Sequence, residues 1–169
     1  MKRFLLLTLA ATLLLGSGCA SKKYAKKGMK FEQAGLWEQA ADAYIRSLTA
    51  KRDNIDAIVG LKRAGQRVLD ERSLKVIKAY ENDDLKQAVY TYLDAESFKN
   101  QAALLGVELS ISNMATDYFN DAKPKYVEKI YSEAQALLDA EKFKDAELLL
   151  TEVKRLQPDY GNTQDMLKV

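Results

Sequence analysis

The chain has 169 residues, 26 Lys and Arg against 24 Asp and Glu, no His and one Cys. One domain is expected at this length, with enough chain to bury about 68–70% of the unfolded surface. The lack of His removes the commonest general base and metal ligand, and a single Cys excludes disulfide frameworks and multi-cysteine zinc or iron–sulfur sites.

The chain opens with Lys2 and Arg3, then the apolar run FLLLTLAATLLL from Phe4 to Leu15. That run is shorter than the ~20 residues a membrane-spanning helix needs, and it has the charge-then-apolar order of a secretory signal peptide. Gly16, Ser17 and Gly18 follow, then Cys19. On these residues the chain resembles a bacterial lipoprotein precursor, whose lipobox is an aliphatic residue, two small residues and the lipidated Cys. Gly16 takes the aliphatic place here, and Leu15 sits one position early. The resemblance implies that residues 1–18 are the signal peptide and that the only non-protein group is a covalent lipid on Cys19. Several acyl chains make such an anchor stable. Ala20 rather than Asp after the Cys implies the outer membrane, facing the periplasm. An ordinary secretory signal with an incidental Cys is the alternative. Residues 19–30 read as the lipidated N-terminus and a basic arm merging into the first helix, because five Lys (22, 23, 26, 27 and 30) precede the first acid, Glu32. That arm suits either a solvated helix face or contact with anionic headgroups.

From there the apolar residues recur at helical spacing. A helix is predicted over 22–34, closed by Gly35 as its C′ residue. Residues 37–51 place Trp37, Ala40, Ala41, Tyr44 and Leu48 on one face. Asn54 caps a helix carrying Ile55, Ile58, Leu61, Ala64 and Leu69, which continues through Leu74, Ile77 and Tyr80. Asn82-Asp83-Asp84 is a turn and cap signal before Leu85, Ala88, Val89, Tyr92 and Ala95. Leu104, Val107, Ile111, Met114 and Tyr118 repeat at 3-4-3-4 spacing and predict a further helix over 99–120. Asn120-Asp121 then Pro124 predict a break, with Pro124 in the first turn of the next helix. Val127, Ile130, Ala134 and Leu137 form one more stripe, and Phe143 to Leu156 the last, ended by Pro158.

Three segments align: GLWEQAADAYIRSL (35–48), NDDLKQAVYTYLDA (82–95) and EKFKDAELLLTEVKRLQP (141–158). They resemble the tetratricopeptide repeat, with Ala40, Ala88 and Ala146 where two helices cross closely, and Tyr44, Tyr92 and Leu150 one turn on. Tyr24, Gly28 and Phe31 match the first-helix positions of the first unit, and Ala134, Leu137 and Pro158 match in the third; Val76 and Ala79 fit poorly in the second. The resemblance implies an all-α fold over residues 21–169, an antiparallel helix-hairpin solenoid of about seven helices, with a plain antiparallel bundle as the alternative. The crossing alanines are 48 and 58 residues apart, against a family period of about 34. Lengthening the helix after Asn54 absorbs the first excess, and the helix at 99–120 the second.

The concave groove of that family is lined by its first helices. The resemblance therefore implies a groove offering Lys22, Ala25, Met29, Glu32 and Gln33, then Ser73, Ile77 and Tyr80, then Glu128, Tyr131, Gln135, Leu138 and Asp139. Of these, Met29, Glu32, Gln33, Tyr80, Tyr131, Gln135 and Leu138 are expected to meet a protein partner. A mixed aromatic and aliphatic groove suits an amphipathic helix or extended segment. No phosphate-binding glycine loop or nucleophile elbow occurs, and no enzyme activity is expected. Residues 20–78 carry 14 basic and 7 acidic groups, and residues 79–169 carry 10 and 17. A secreted lipoprotein does not meet nucleic acid and no basic helix stripe persists, so nucleic acid is not expected; no small-molecule substrate is expected either. The reading is a scaffold or adaptor lipoprotein that binds another envelope protein in assembly of an outer-membrane or secretion complex. A cell-wall or glycan-associated structural lipoprotein is the alternative.

Overall fold

A computed structural model describes residues 19–167, so the expected signal peptide at 1–18 lies outside the described residues. The described chain forms helices and connections, with no strand among the described residues. The helices are α1 (19–33), α2 (Trp37–Ala50), α3 (Ile55–Glu81), α4 (Leu85–Leu104), α5 (Asn113–Asp139), α6 (Phe143–Leu156) and α7 (Thr163–Met166). No described helix is long and apolar enough to cross a membrane.

Three of the connections share one backbone solution. The residues Gly35, Asp83 and Glu141 all have φ between 57° and 73°. Just after each, an amide reaches back five residues to a carbonyl at 2.9 Å: Leu36 to Phe31, Asp84 to Ala79 and Lys142 to Leu137. The left-handed residue itself donates three residues back at 3.0 Å in all three cases. This double closure satisfies the last carbonyls of the incoming helix and reverses the chain. Five residues beyond each left-handed residue stands Ala40, Ala88 or Ala146, each completely buried. The second of these turns is built like the other two, although its first-helix residues Val76 and Ala79 fit the sequence pattern poorly; both are buried.

Two compact units make up the structure. The first takes α1, α2 and α3 as far as Leu74, together with Leu93–Ser112. Its core includes Ala40, Tyr44, Leu48, Leu61, Val68 and Phe98. Arg72 fastens this unit further, pairing with Glu38 and Asp94 and lying over the Phe98 ring at 5.1 Å. The second unit takes Lys75–Tyr92 and the chain from Asn113. Its buried residues include Val89, Tyr126, Val127, Ile130, Leu150 and Val153.

The long α3 agrees with the lengthening expected after Asn54, whose side-chain oxygen accepts the Ala57 amide at 3.3 Å. The helix expected over 99–120 does not exist as one element. Residues up to Leu104 finish α4, those from Asn113 begin α5, and 105–112 are irregular. Gly106 at φ 81° ends α4 with the same double closure as the other turns. Beyond it the chain runs as an extended strap in which Val107 and Leu109 are buried and Glu108 and Ser110 exposed, a period of two rather than 3.6. The side chain of Gln66 pairs with the strap backbone as a neighbouring strand would. It accepts the Ser110 amide at 3.1 Å and donates to the Ser110 carbonyl at 2.9 Å.

Pro124 is also misjudged by local rules, for it lies inside α5. It deprives the Asn120 carbonyl of its helical donor. The helix persists because both sides of the break are held. Tyr118 stacks on Tyr80 at 4.3 Å and Phe119 on Tyr92 at 4.1 Å, while Tyr126 and Val127 are buried beyond it.

Candidate functional site

In the first unit, a tyrosine and two glycines set the geometry. Tyr44 of α2 is completely buried, with its ring against Gly28 of α1 and Gly60 of α3. A Cβ at Gly28 would stand 2.7 Å from the ring and one at Gly60 only 2.2 Å, so no larger residue fits either position without moving the ring. The slot aims the Tyr44 hydroxyl at α1, where it donates to Glu32 Oε2 at 2.7 Å. From α3, Arg63 donates to the same carboxylate twice, at 2.6 and 3.0 Å. The Arg63 hydrogen bonds, joined by the one from Tyr44, hold Glu32 below the usual carboxylate range, whereas burial and then Glu32 push the Tyr44 hydroxyl well above the ordinary tyrosine value. Glu32 is therefore a fixed anion with two donors.

Beside it, Glu32, Trp37, Arg63, Gln66, Arg67 and Asp70 line an open cavity of about 260 Å³. The Arg67 guanidinium lies over the Trp37 ring at 5.8 Å. One turn before the Glu32–Arg63 pair on their respective helices stand Met29, 38% exposed, and Val59, 47% exposed. The face thus offers two apolar side chains, an indole, guanidinium donors and flanking carboxylates. Chemically, such a mixture can make both apolar contacts and side-chain hydrogen bonds with a polypeptide segment. Gln33 is exposed on α1 close by in sequence.

Most of the other expected contact residues belong to the second unit. Tyr80 is half-buried; it stacks on Tyr118 and donates to Asp121, which also pairs with Lys125 at 2.5 Å. Tyr131 packs edge-on against Tyr160, and its hydroxyl accepts the Asn162 amide at 3.2 Å, fastening the turn before α7. Gln135 is exposed. Leu138 is half-buried and borders a cavity of about 250 Å³ with Phe143 and Met166. Two residues expected in the groove are corrected. Ala25 is buried in the core, and Ser73 is buried with its hydroxyl accepting the Ser112 amide at 3.3 Å. Cys19 is exposed at the start of the described chain.

The second unit builds its own cluster around Glu152 of α6. Tyr90 and Tyr126 both donate to Glu152 Oε1 at 2.6 Å, and Arg155 donates to the Tyr90 hydroxyl. Burial drives the Glu152 carboxyl up, but the Tyr126 and Tyr90 hydrogen bonds together with the Lys86 and Arg155 charges outweigh it and leave the group below its usual range. Among the described residues no three metal-ligating side chains converge.

Sequence reasoning missed Trp37, Val59, Arg63 and Arg67 as members of one face. Val59 carried a signal: it is apolar yet falls off the buried stripe of α3. The arginines carried none, because their neighbours come from other helices. Comparison of the chain with protein-family models, curated proteins and solved structures returns no match.

Proposed function

We propose that the chain is a lipid-anchored adaptor of the bacterial envelope. Cys19 carries the anchor at the periplasmic face of the outer membrane, and tetratricopeptide-like helical hairpins present the α1–α3 face of the first unit to a segment of another envelope protein. The partner's role is assembly of an outer-membrane or secretion complex. The observation carrying this reading is the exposure of Met29 and Val59 beside a carboxylate–guanidinium pair with a cavity next to it. Apolar residues at that exposure, rimmed by charge, are the composition of a polypeptide-docking surface. The repeated turn geometry and the buried crossing alanines support the repeat reading.

Crosslinking followed by affinity purification from membranes tests it, comparing wild type with Cys19→Ala and with Met29→Glu/Val59→Glu. Wild type is expected to sediment with membrane and retain a specific protein. Cys19→Ala should lose the membrane fraction, and the double variant should stay on the membrane without the protein. A Cys19→Ala chain still held on membrane would sink the anchor. Equal recovery of the same proteins by wild type and the double variant would sink the adaptor role.

A further inference from the structure

At one end of the first unit, the start of α1, the end of α2 and the turn before α3 are tied by a knot of small polar side chains. Ser47 Oγ donates to the Ser21 carbonyl at 2.8 Å, and the two hydroxyls lie 3.0 Å apart. Asn54 Nδ2 donates to the Ser21 and Ser47 hydroxyls at 2.8 and 3.1 Å. Ser21 and Ser47 are completely buried. Cys19 stands only two residues from Ser21 and is already helical. No flexible tether therefore separates the lipid-bearing residue from the folded unit.

Next to the knot, Cys19, Lys22, Lys51, Asp53, Ile55 and Asp56 border an open cavity of about 600 Å³. Ile55 was expected in the core stripe of α3, yet it is 73% exposed at the first residue of that helix. The charges bordering that cavity are Lys22 and Lys51 against Asp53 and Asp56, with Lys51 and Asp53 paired at 3.4 Å; the exposed Lys23 and Arg52 adjoin the two lysines in sequence.

We infer that this end of the first unit is a membrane-contact face that rests on anionic phospholipid, with Ile55 at the headgroup–acyl boundary and Lys22, Lys23, Lys51 and Arg52 on the phosphates. The inference rests on the reading that Cys19 is lipidated. With acyl chains in the bilayer, the Cys19 backbone sits at headgroup depth. The side chains that share its cavity are then at the same depth, because the knot leaves no slack. At that depth the aliphatic Ile55 tip meets acyl chain while the neighbouring lysines and arginine meet phosphate. The lipid and the face together make a rigid hold rather than a leash.

The test uses the full chain purified from membranes. Its intact mass reports the acyl chains. Because lipidation consumes the Cys19 thiol, Ile55→Cys accepts a single environment-sensitive fluorophore, as does Leu148→Cys, an exposed position on α6. Each labelled protein is placed in phosphatidylcholine vesicles with and without phosphatidylglycerol, and quenching by a shallow spin-labelled lipid is read. The label at 55 is expected to shift to the blue and be quenched well beyond the label at 148. Lys51→Glu/Arg52→Glu should reduce that quenching only where the anionic lipid is present. An acylated protein whose label at 55 is quenched no more than that at 148 overturns the face and leaves the anchor standing. A mass without acyl chains overturns the anchoring reading, and the face with it.

Discussion

The two units reverse the chain with the same turn but fill the space between helices differently. In the first, glycine at 28 faces tyrosine at 44; in the second, the positions matched by the sequence alignment are alanine at 134 and leucine at 150. A ring needs the extra room that only a missing Cβ provides, whereas Ala134 and Leu150 are both buried without a glycine between them in the alignment. The first unit then adds a polar contact at the tip of its buried ring, from Tyr44 to Glu32. The second gives its carboxylate, Glu152, two tyrosine donors instead of one, the buried Tyr126 and the half-buried Tyr90. A turn is decided by local backbone chemistry, but the packing above it is decided by pairs of residues whose volumes compensate.

The largest effect should come from emptying the ring slot. Tyr44→Ala is expected to lower stability by about 3–5 kcal/mol, and Leu150→Ala by about 2–4 kcal/mol, measured by urea unfolding. Next comes filling the slot from its other side. Gly60→Ala should cost about 1–3 kcal/mol even though alanine gains up to ~1 kcal/mol in helix propensity over glycine. In a Tyr44→Leu background the same change should lose its cost, and a double-mutant cycle reads that coupling directly. Additive effects would show that the ring and the glycine are not a compensating pair.

The polar clusters should matter less. Glu152→Gln is expected to cost about 1–2 kcal/mol, since two tyrosines lose a charged acceptor. Both Glu32 and Glu152 titrate below their ordinary range. Their contribution is complete above the unfolded glutamate value of about 4.3 and disappears as pH falls through the lower folded values. Thermal melts followed by circular dichroism down the acid range should show this loss, and Glu152→Gln should make it shallower. A wild type equally stable across that range would contradict the assignment. The smallest effects lie in the turns. Glu141→Gly should stabilise by about 0.5–1 kcal/mol by relieving a left-handed residue with a Cβ, and Asp83→Gly by less, because aspartate tolerates that conformation. Gly35→Ala should destabilise by about 1 kcal/mol.

The three turns were legible because each carries its signal within a few residues: a left-handed or cap-forming residue, then alanine five positions on. The strap at 105–112 was not. Leu104, Val107, Ile111 and Met114 imitate helical spacing, yet Leu104 and Met114 are 75% and 52% exposed. The pattern that governs is the alternation Val107, Leu109, Ile111, made possible by Gln66, which lies 44 residues from Ser110. Pro124 misleads for the same reason, since the stacks that carry α5 across it come from Tyr80 and Tyr92. The candidate face is assembled from three helices, and Glu32 and Arg63 are 31 residues apart. Its apolar members were half visible: Met29 from the repeat resemblance, Val59 only as a residue off the stripe.

The adaptor reading turns on whether the α1–α3 face meets another protein in the envelope. A photo-crosslinking residue placed at Val59 in cells tests this most directly, with the same residue at the exposed Lys129 of α5 as the comparison. The expected result is a discrete adduct of one size from position 59 that is absent from position 129 and lost when Met29 is also changed to Glu. No adduct from position 59, or the same adducts from both positions, would contradict the account.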